Sequence, residues 1–295
     1  MSTTEAGIGP TLFDDTTFDR PASDRRPVDP GVSPGRLSAA GAALLEPGLF
    51  DPELLDEAAS SSRGGVGARW FDELAVFDLE TTGIDVRTSR IVTAHVGVLD
   101  ASGTPVEATT WLADPGVEIP AGASAVHGIS TEYARAHGRP AGEVVAEVSE
   151  ALRSLLAREI PVVIYNAPYD LSLLAYESRR WGVPVLIDPS PVVDPLVIDK
   201  ALDRYRKGKR TLVQAAEHYG VPLTEAHDAG ADAVAAGRVA QALGRAFADE
   251  LGVGAHALHE LQVDWCRTQA ESFQEYMRRV RDESFVADGR WPVRH

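Results

Sequence analysis

Two acids stand two positions apart in FDLETTG, Phe77–Gly83, at Asp78 and Glu80, and the segment leads out of the apolar run LAVFDL. On a strand, residues i and i+2 share a face, so the two carboxylates lie side by side. Like charges that close disfavour joint ionisation, and burying them is costly without a partner. A bare Asp-x-Glu at a strand end is by itself an ordinary solvated pair. Its meaning depends on what the rest of the chain brings to it.

Two later segments supply partners. In VVIYNAPYDLSLL, Val162–Leu174, an apolar strand runs out through Asn166-Ala167-Pro168 and a helix begins near Asp170. This sets a carboxylate at a strand-to-helix junction, although an acid there is also what the helix dipole favours. In HDAGADA, His227–Ala233, Asp228 is the natural N-cap of the helix that follows. His227 and Asp232 would be about 140° apart within one ideal helix. They converge only if His227 lies on the preceding loop and Asp232 in the first turn. Four carboxylates and one imidazole form an oxygen-rich donor set with a proton acceptor, suited to Mg²⁺ or Mn²⁺ rather than Zn²⁺.

The elements that must position these residues can be read along the chain. LAVFDLE, Arg90–Asp100 and Thr104–Asp114 read as three strands, with a hairpin turn over Leu99–Gly103, and so as an antiparallel meander. Glu143–Glu159 carries Val144, Val145, Val148, Leu152, Leu155 and Leu156 at helical spacing. Pro161–Asn166 is a short apolar strand, and two helices stop at Gly182 and Gly220. An Ala-rich helix follows HDAGADA. A long helix within Ala255–Asp282 offers Leu258, Leu261, Trp265, Phe273 and Met277 for packing. The expected division is a low-complexity, mostly disordered extension over 1–67, an α/β domain over 68–249 and a C-terminal helical extension over 250–295.

Composition narrows the function. The chain has 295 residues and 44% hydrophobic side chains, enough for a sizeable core. A net charge of −16 argues against a protein that coats nucleic acid, but not against one that handles it at a metal-loaded site. Cys266 is the single cysteine, so no intramolecular disulfide can form. The N-terminus lacks a basic segment followed by an apolar one, and the run Leu37–Leu45 is too short to span a bilayer. A soluble, cytoplasmic protein with no membrane partner is the expectation.

FDLETTG, YNAPYD and HDAGADA resemble, in order, the three motifs of the DEDDh family of 3′–5′ exonucleases. That family includes the proofreading subunit of the bacterial replicative polymerase, RNase T and oligoribonuclease. VHGIS, Val126–Ser130, is similar to the VHGI segment of the proofreading-like branch. The likeness covers about Phe71 to Gly244. It implies an RNase H-like α/β fold, a mixed central sheet with an antiparallel meander flanked by helices. It implies that Asp78, Glu80, Asp170 and Asp232 hold two ions, Mg²⁺ or Mn²⁺, and that His227 is the general base. The reaction implied is phosphodiester hydrolysis at a 3′ end with release of 5′-mononucleotides. Leu79, Thr81, Thr82, His127, Ile129 and Asn166 are the implied contacts to the terminal nucleotides. The proofreading-like form of FDLETTG and VHGIS favours single-stranded DNA and a role in proofreading or repair. An exoribonuclease of the RNase T or oligoribonuclease type is the alternative. A non-catalytic replisome-binding module would predict an eroded acidic set, and all five positions are filled. An unrelated Mg²⁺-dependent phosphohydrolase is disfavoured by the His227/Asp232 pairing.

Four further features carry expectations. VHGIS can equally be a loop leading into a helix, with Ser130 as N-cap and Tyr133 in the core. Lys200–Arg210, KALDRYRKGKR, holds six basic residues and is either a border of the cleft that holds phosphates or a solvated helix end. The Leu-Phe pairs in GPTLFDD and EPGLFDP resemble sliding-clamp-binding peptides without the usual glutamine, which makes a sliding clamp a candidate partner; a polymerase is a second candidate. The C-terminal helix is expected to pack back on the domain.

Overall fold

Alternating, β-branched runs separated by short turns form the centre of the molecule. In the computed structural model, which describes residues 69–223 and 227–294, they become β1 (Leu74–Thr81), β2 (Ile91–Leu99) and β3 (Pro105–Asp114), an antiparallel meander. Asp100 closes the β2–β3 turn, its Oδ1 accepting the N–H groups of Ser102 and Thr104. Three two-residue strands complete the sheet: β4 (Arg139–Pro140), β5 (Val162–Val163) and β6 (Val192–Val193). The order is β4-β3-β2-β1-β5-β6, with β4, β5 and β6 joined in parallel to their neighbours. This is the mixed sheet of an RNase H-like fold. The Leu-Phe pairs of the N-terminal extension lie outside the described residues.

Helices cover both faces, which is why β2 is buried along its whole length. One face packs on α3 (Ala141–Ala157), whose Val144, Val148, Leu152 and Leu155 meet Phe77, Leu79, Ile91 and Val96. On the other lies α7 (Ala229–Ala246), whose Ala233, Ala236, Val239 and Leu243 meet Leu74, Val76 and Leu99. This small-residue helix sits close: a Cβ on Gly237 would fall 2.5 Å from Leu99 Cδ1 and 2.6 Å from Val76 Cγ1. The other helices before the last are α1 (Ala121–His127), α2 (Thr131–His137), α4 (Ala167–Trp181), α5 (Pro195–Leu202) and α6 (Leu212–His218). Gly182 caps α4 in the left-handed region, at φ 67°, as the Gly stop requires.

The last helix, α8 (Ala255–Val280), packs back on the domain against α5 and the edge strand β6. An edge strand leaves backbone groups unpaired, and α8 pairs them with side chains. Gln262 accepts the Asp194 N–H at 2.6 Å and donates to the Val192 carbonyl at 3.1 Å, while His259 Nδ1 accepts the Val192 N–H at 3.1 Å. Leu258 and Met277 are buried as expected, but Phe273 is exposed and meets Phe285 edge to face. A second expectation is corrected at α2. Ser130 is indeed the N-cap, accepting the Tyr133 N–H, but Tyr133 points outward and stacks on His137 at 4.3 Å. Thr131 and Ala134 take the inward positions of that short helix. No helix among the described residues is long and apolar enough to cross a membrane.

Candidate active site

β1 carries Asp78 and Glu80 on the face that α7 covers, in register with His95 and Thr93 of β2. Its parallel partner β5 reaches only as far as Val76, so the strand continues without a ladder on that side. The Asp170 carboxylate takes over, accepting the Leu79 N–H at 3.1 Å. Asp170 lies in the first turn of α4 and is 3% exposed. The start of α4 is fixed by a further acid, Asp194, which accepts the N–H groups of Asn166 and Ala167, both at 3.0 Å. Asp194 also caps α5 through Leu196 N–H and receives Trp291 Nε1 at 3.4 Å. Asn166 turns the chain into α4 in the left-handed region, at φ 63°, and its side chain makes no capping hydrogen bond.

At the far side, Asp228 caps α7 by accepting the Ala231 N–H at 2.9 Å. His227 occupies an exposed turn at φ 70° before the helix, and its N–H donates to Asp232 Oδ2 at 3.2 Å. This is the loop-then-first-turn arrangement that convergence of the two residues requires. Ligand atoms of Glu80, His227 and Asp232 all lie within 4.8 Å of one another.

The electrostatics show how tightly the acids are gathered. Burial pushes the Asp78 carboxyl well above the usual range, and the charges of Asp170, Glu80, Asp232 and Asp228 add to it. Burial, then Asp232 and Asp228, push Glu80 up to about 8. Asp170 is raised by burial against the opposing pull of its own N–H and that of Leu79. Asp232 is raised by burial, opposed by His227. In addition, Asp232 Oδ1 is buried without a hydrogen-bond partner. An orphaned carboxylate oxygen in a buried cluster of acids whose charges oppose one another is what a site for a divalent cation presents. The donor set, carboxylates with one imidazole, fits a hard cation.

The remaining expected contacts surround this cluster. Leu79 is a core side chain, 5% exposed, whose N–H orients Asp170. Thr81 and Thr82 are buried, with their hydroxyls committed to the loop: Thr81 Oγ1 to Gly83 O at 2.8 Å, and Thr82 Oγ1 accepting the Arg90 N–H at 2.9 Å. What this turn can offer outward is its backbone. His127 Nδ1 accepts the Ile129 N–H at 3.2 Å, and burial lowers the ring's pKa against the carbonyl of Thr81, which places VHGIS beside the turn. Two positions escaped the sequence reading. Tyr169, inside YNAPYD, sets its hydroxyl 2.5 Å from Thr81 Oγ1 and donates to Gly83 O at 2.6 Å. Asp194 precedes Pro195, an N-cap pattern that signals one helix start but not the hold on a second.

A profile of the exonuclease family RNase_T matches residues 75–240. Among curated proteins, a PolC-type DNA polymerase III from Streptococcus suis is 26% identical over 166 residues, 56% of this chain and 10% of that protein. One from Clostridium perfringens is 26% identical over 170 residues, 57% of this chain and 11% of that protein. The chain thus spans about a tenth of the length of these relatives. In fold it is similar to E. coli exonuclease I in complex with a dA16 oligonucleotide, with TM-score 0.50 and 19% identity over 59% of this chain and 41% of that one. The zinc-bound E. coli exonuclease I complex with single-stranded DNA gives TM-score 0.51 and 19% identity over 60% and 41%. With the matched segment covering more than half of the sequence and every acid of the three motifs in place, the chain belongs to the RNase_T exonuclease family.

Proposed function

We propose that the protein removes nucleotides one at a time from the 3′ end of single-stranded DNA, in proofreading or repair. The observation that carries this reading is the convergence of Asp78, Glu80, Asp170 and Asp232 from β1, α4 and α7, with an orphaned oxygen on Asp232. These four carboxylates would hold two ions, Mg²⁺ or Mn²⁺. Bound there, the ions supply Lewis-acid stabilisation of the attacking and leaving oxygens. His227, on its exposed turn beside Glu80 and Asp232, takes the proton of the attacking water. The Asp232 carboxylate, by accepting the His227 N–H, holds that turn in place. The Thr81–Thr82 backbone faces the terminal 3′-hydroxyl, and His127, Ile129 and Asn166 line the terminal nucleotide. DNA is supported by the relatives' own substrates: the polymerases are DNA polymerases, and E. coli exonuclease I is held with dA16. A sliding clamp, through the Leu-Phe pairs of the N-terminal segment, or a polymerase is the proposed protein partner. Residues 68–249 form the proposed catalytic unit.

The test incubates the purified protein with 5′- and 3′-labelled strands of DNA and RNA, with Mg²⁺ or Mn²⁺, beside Asp78→Ala and His227→Ala. A 3′ label should leave at once as mononucleotide, and a 5′-labelled strand should shorten stepwise. Both variants should be slower by at least about 10²-fold. Equal rates for wild type and variants, or loss from the 5′ end, would refute the reading. Faster shortening of RNA would move it to the exoribonuclease alternative.

A further inference from the structure

Asp199–Arg210 holds six basic side chains and two acids in a chain of net charge −16. The structure divides the five basic residues after Asp203 into two sets. Arg206 and Arg210 turn inward, contrary to a purely solvated helix end, and both meet Oδ2 of the fully buried Asp199 at 2.6 Å. Tyr219 donates to the other oxygen of Asp199 at 2.6 Å, and Arg210 Nη2 donates to the Asp203 carbonyl at 2.6 Å. The loop is therefore braced from beneath. Arg204, Tyr205, Lys207 and Lys209 face solvent, and Tyr205 is 88% exposed, the most exposed large apolar side chain among the described residues. The Arg204 guanidinium lies 6.0 Å from its ring. The loop is also fastened to the strand exit that leads to Asp170. The Tyr165 hydroxyl donates to the Arg210 carbonyl at 2.7 Å, and Tyr165 directly precedes Asn166 at the strand exit that leads to Asp170.

We propose that the loop over residues 203–210 is a second contact for single-stranded DNA, holding the strand upstream of its 3′ end. Arg204, Lys207 and Lys209 meet phosphates, and Tyr205 stacks on a base. Exposed aromatics between cations on a fixed backbone are the chemistry that non-sequence-specific strand binding uses. The inference rests on the exonuclease reading, since that reading supplies the single strand that the loop would hold.

The experiment measures binding rather than cleavage. Fluorescence anisotropy of labelled oligo(dT) of about twelve nucleotides is followed on the full chain, with EDTA present so that no strand is shortened. Arg204→Ala/Lys207→Ala/Lys209→Ala should raise Kd about tenfold and flatten the slope of log K against log salt by about 2, at roughly 0.7 per lost phosphate contact. Tyr205→Ala should raise Kd about fivefold or more with the salt slope unchanged. Arg245→Ala/Arg281→Ala removes exposed charge elsewhere and should change Kd less than about twofold. Wild-type affinity in the loop variants, or an equal loss in the control, would overturn the proposal. Inertness of the wild type in the cleavage assay would sink the exonuclease reading while leaving this measurement intact.

Discussion

At the scale of single residues, the site is a contest between burial and charge. Glu80 illustrates it, with its carboxyl pushed up to about 8 by burial and by Asp232 and Asp228. A carboxyl raised in the folded state holds a proton that the unfolded chain has released. Its stabilising contribution is therefore complete below the unfolded value near 4.5 and is lost as pH rises toward 8. Glutamine cannot ionise, so Glu80→Gln escapes the loss. In EDTA, the melting temperature of Glu80→Gln should rise relative to wild type between about pH 5 and pH 8, by on the order of 4–8 °C. A constant difference across that range would show that the acids are not gathered as described. Tyr169 makes a second residue-scale case. Its hydroxyl ties the Thr81–Gly83 turn to α4, and Tyr169→Phe keeps the ring while removing that tie. A net loss of about 1 kcal/mol is expected from one such bond. On the proposed reading the turn faces the 3′ end, so the loss should appear in KM, by up to about fivefold, alongside a fall in melting temperature of about 2–4 °C. A fall confined to kcat would count against a role in holding the turn.

Among elements, α8 is the one whose contribution reaches furthest from its own position. It lies beyond the matched residues 75–240, yet it and the tail satisfy the edge of β6 and hold Asp194 through Gln262 and Trp291. Asp194 in turn fixes the first residues of the helix that carries Asp170. Trp291→Ala should cost about 3–5 kcal/mol of stability. It should also lower kcat at temperatures where the variant remains folded. Met277→Ala empties a buried position of the same helix four turns past Gln262 and should lower the melting temperature without lowering kcat. Equal kcat in Trp291→Ala and wild type would break the link from tail to site. This chain of contacts also marks the limit of what the sequence made legible. The meander was readable because alternation and a short turn are local signals. So were Asp228 as a cap and the acids of the three motifs. Asp194 was not, because a capping pattern reports the helix it starts, whereas its hold on Asn166 spans 28 positions and depends on how strands pair. Tyr133 and Arg206 misled for the same reason. An aromatic in an amphipathic segment and a cation in a basic run are assigned an inside or an outside by packing, not by their neighbours in the chain.

For the whole molecule, the field works against its proposed substrate. A body of net charge −16 repels a polyanion, and the exposed cations of residues 204–209 are a small opposing patch. Salt weakens both terms, since the screening length is about 10 Å at 0.1 M. Attraction at the loop is local and releases counterions, so it should dominate the wild-type response, with affinity falling as salt rises. Reversing the patch with Arg204→Glu/Lys207→Glu/Lys209→Glu leaves the body's repulsion to prevail, and screening should then help binding. The sign of the slope of log K against log salt is therefore expected to invert, from negative in the wild type to positive in the reversed variant, when oligo(dT) binding is titrated between about 20 and 200 mM salt. A slope that stays negative would place the phosphate contacts elsewhere on the surface. A slope already positive in the wild type would mean that the body's charge prevails over the loop at every distance the strand can reach.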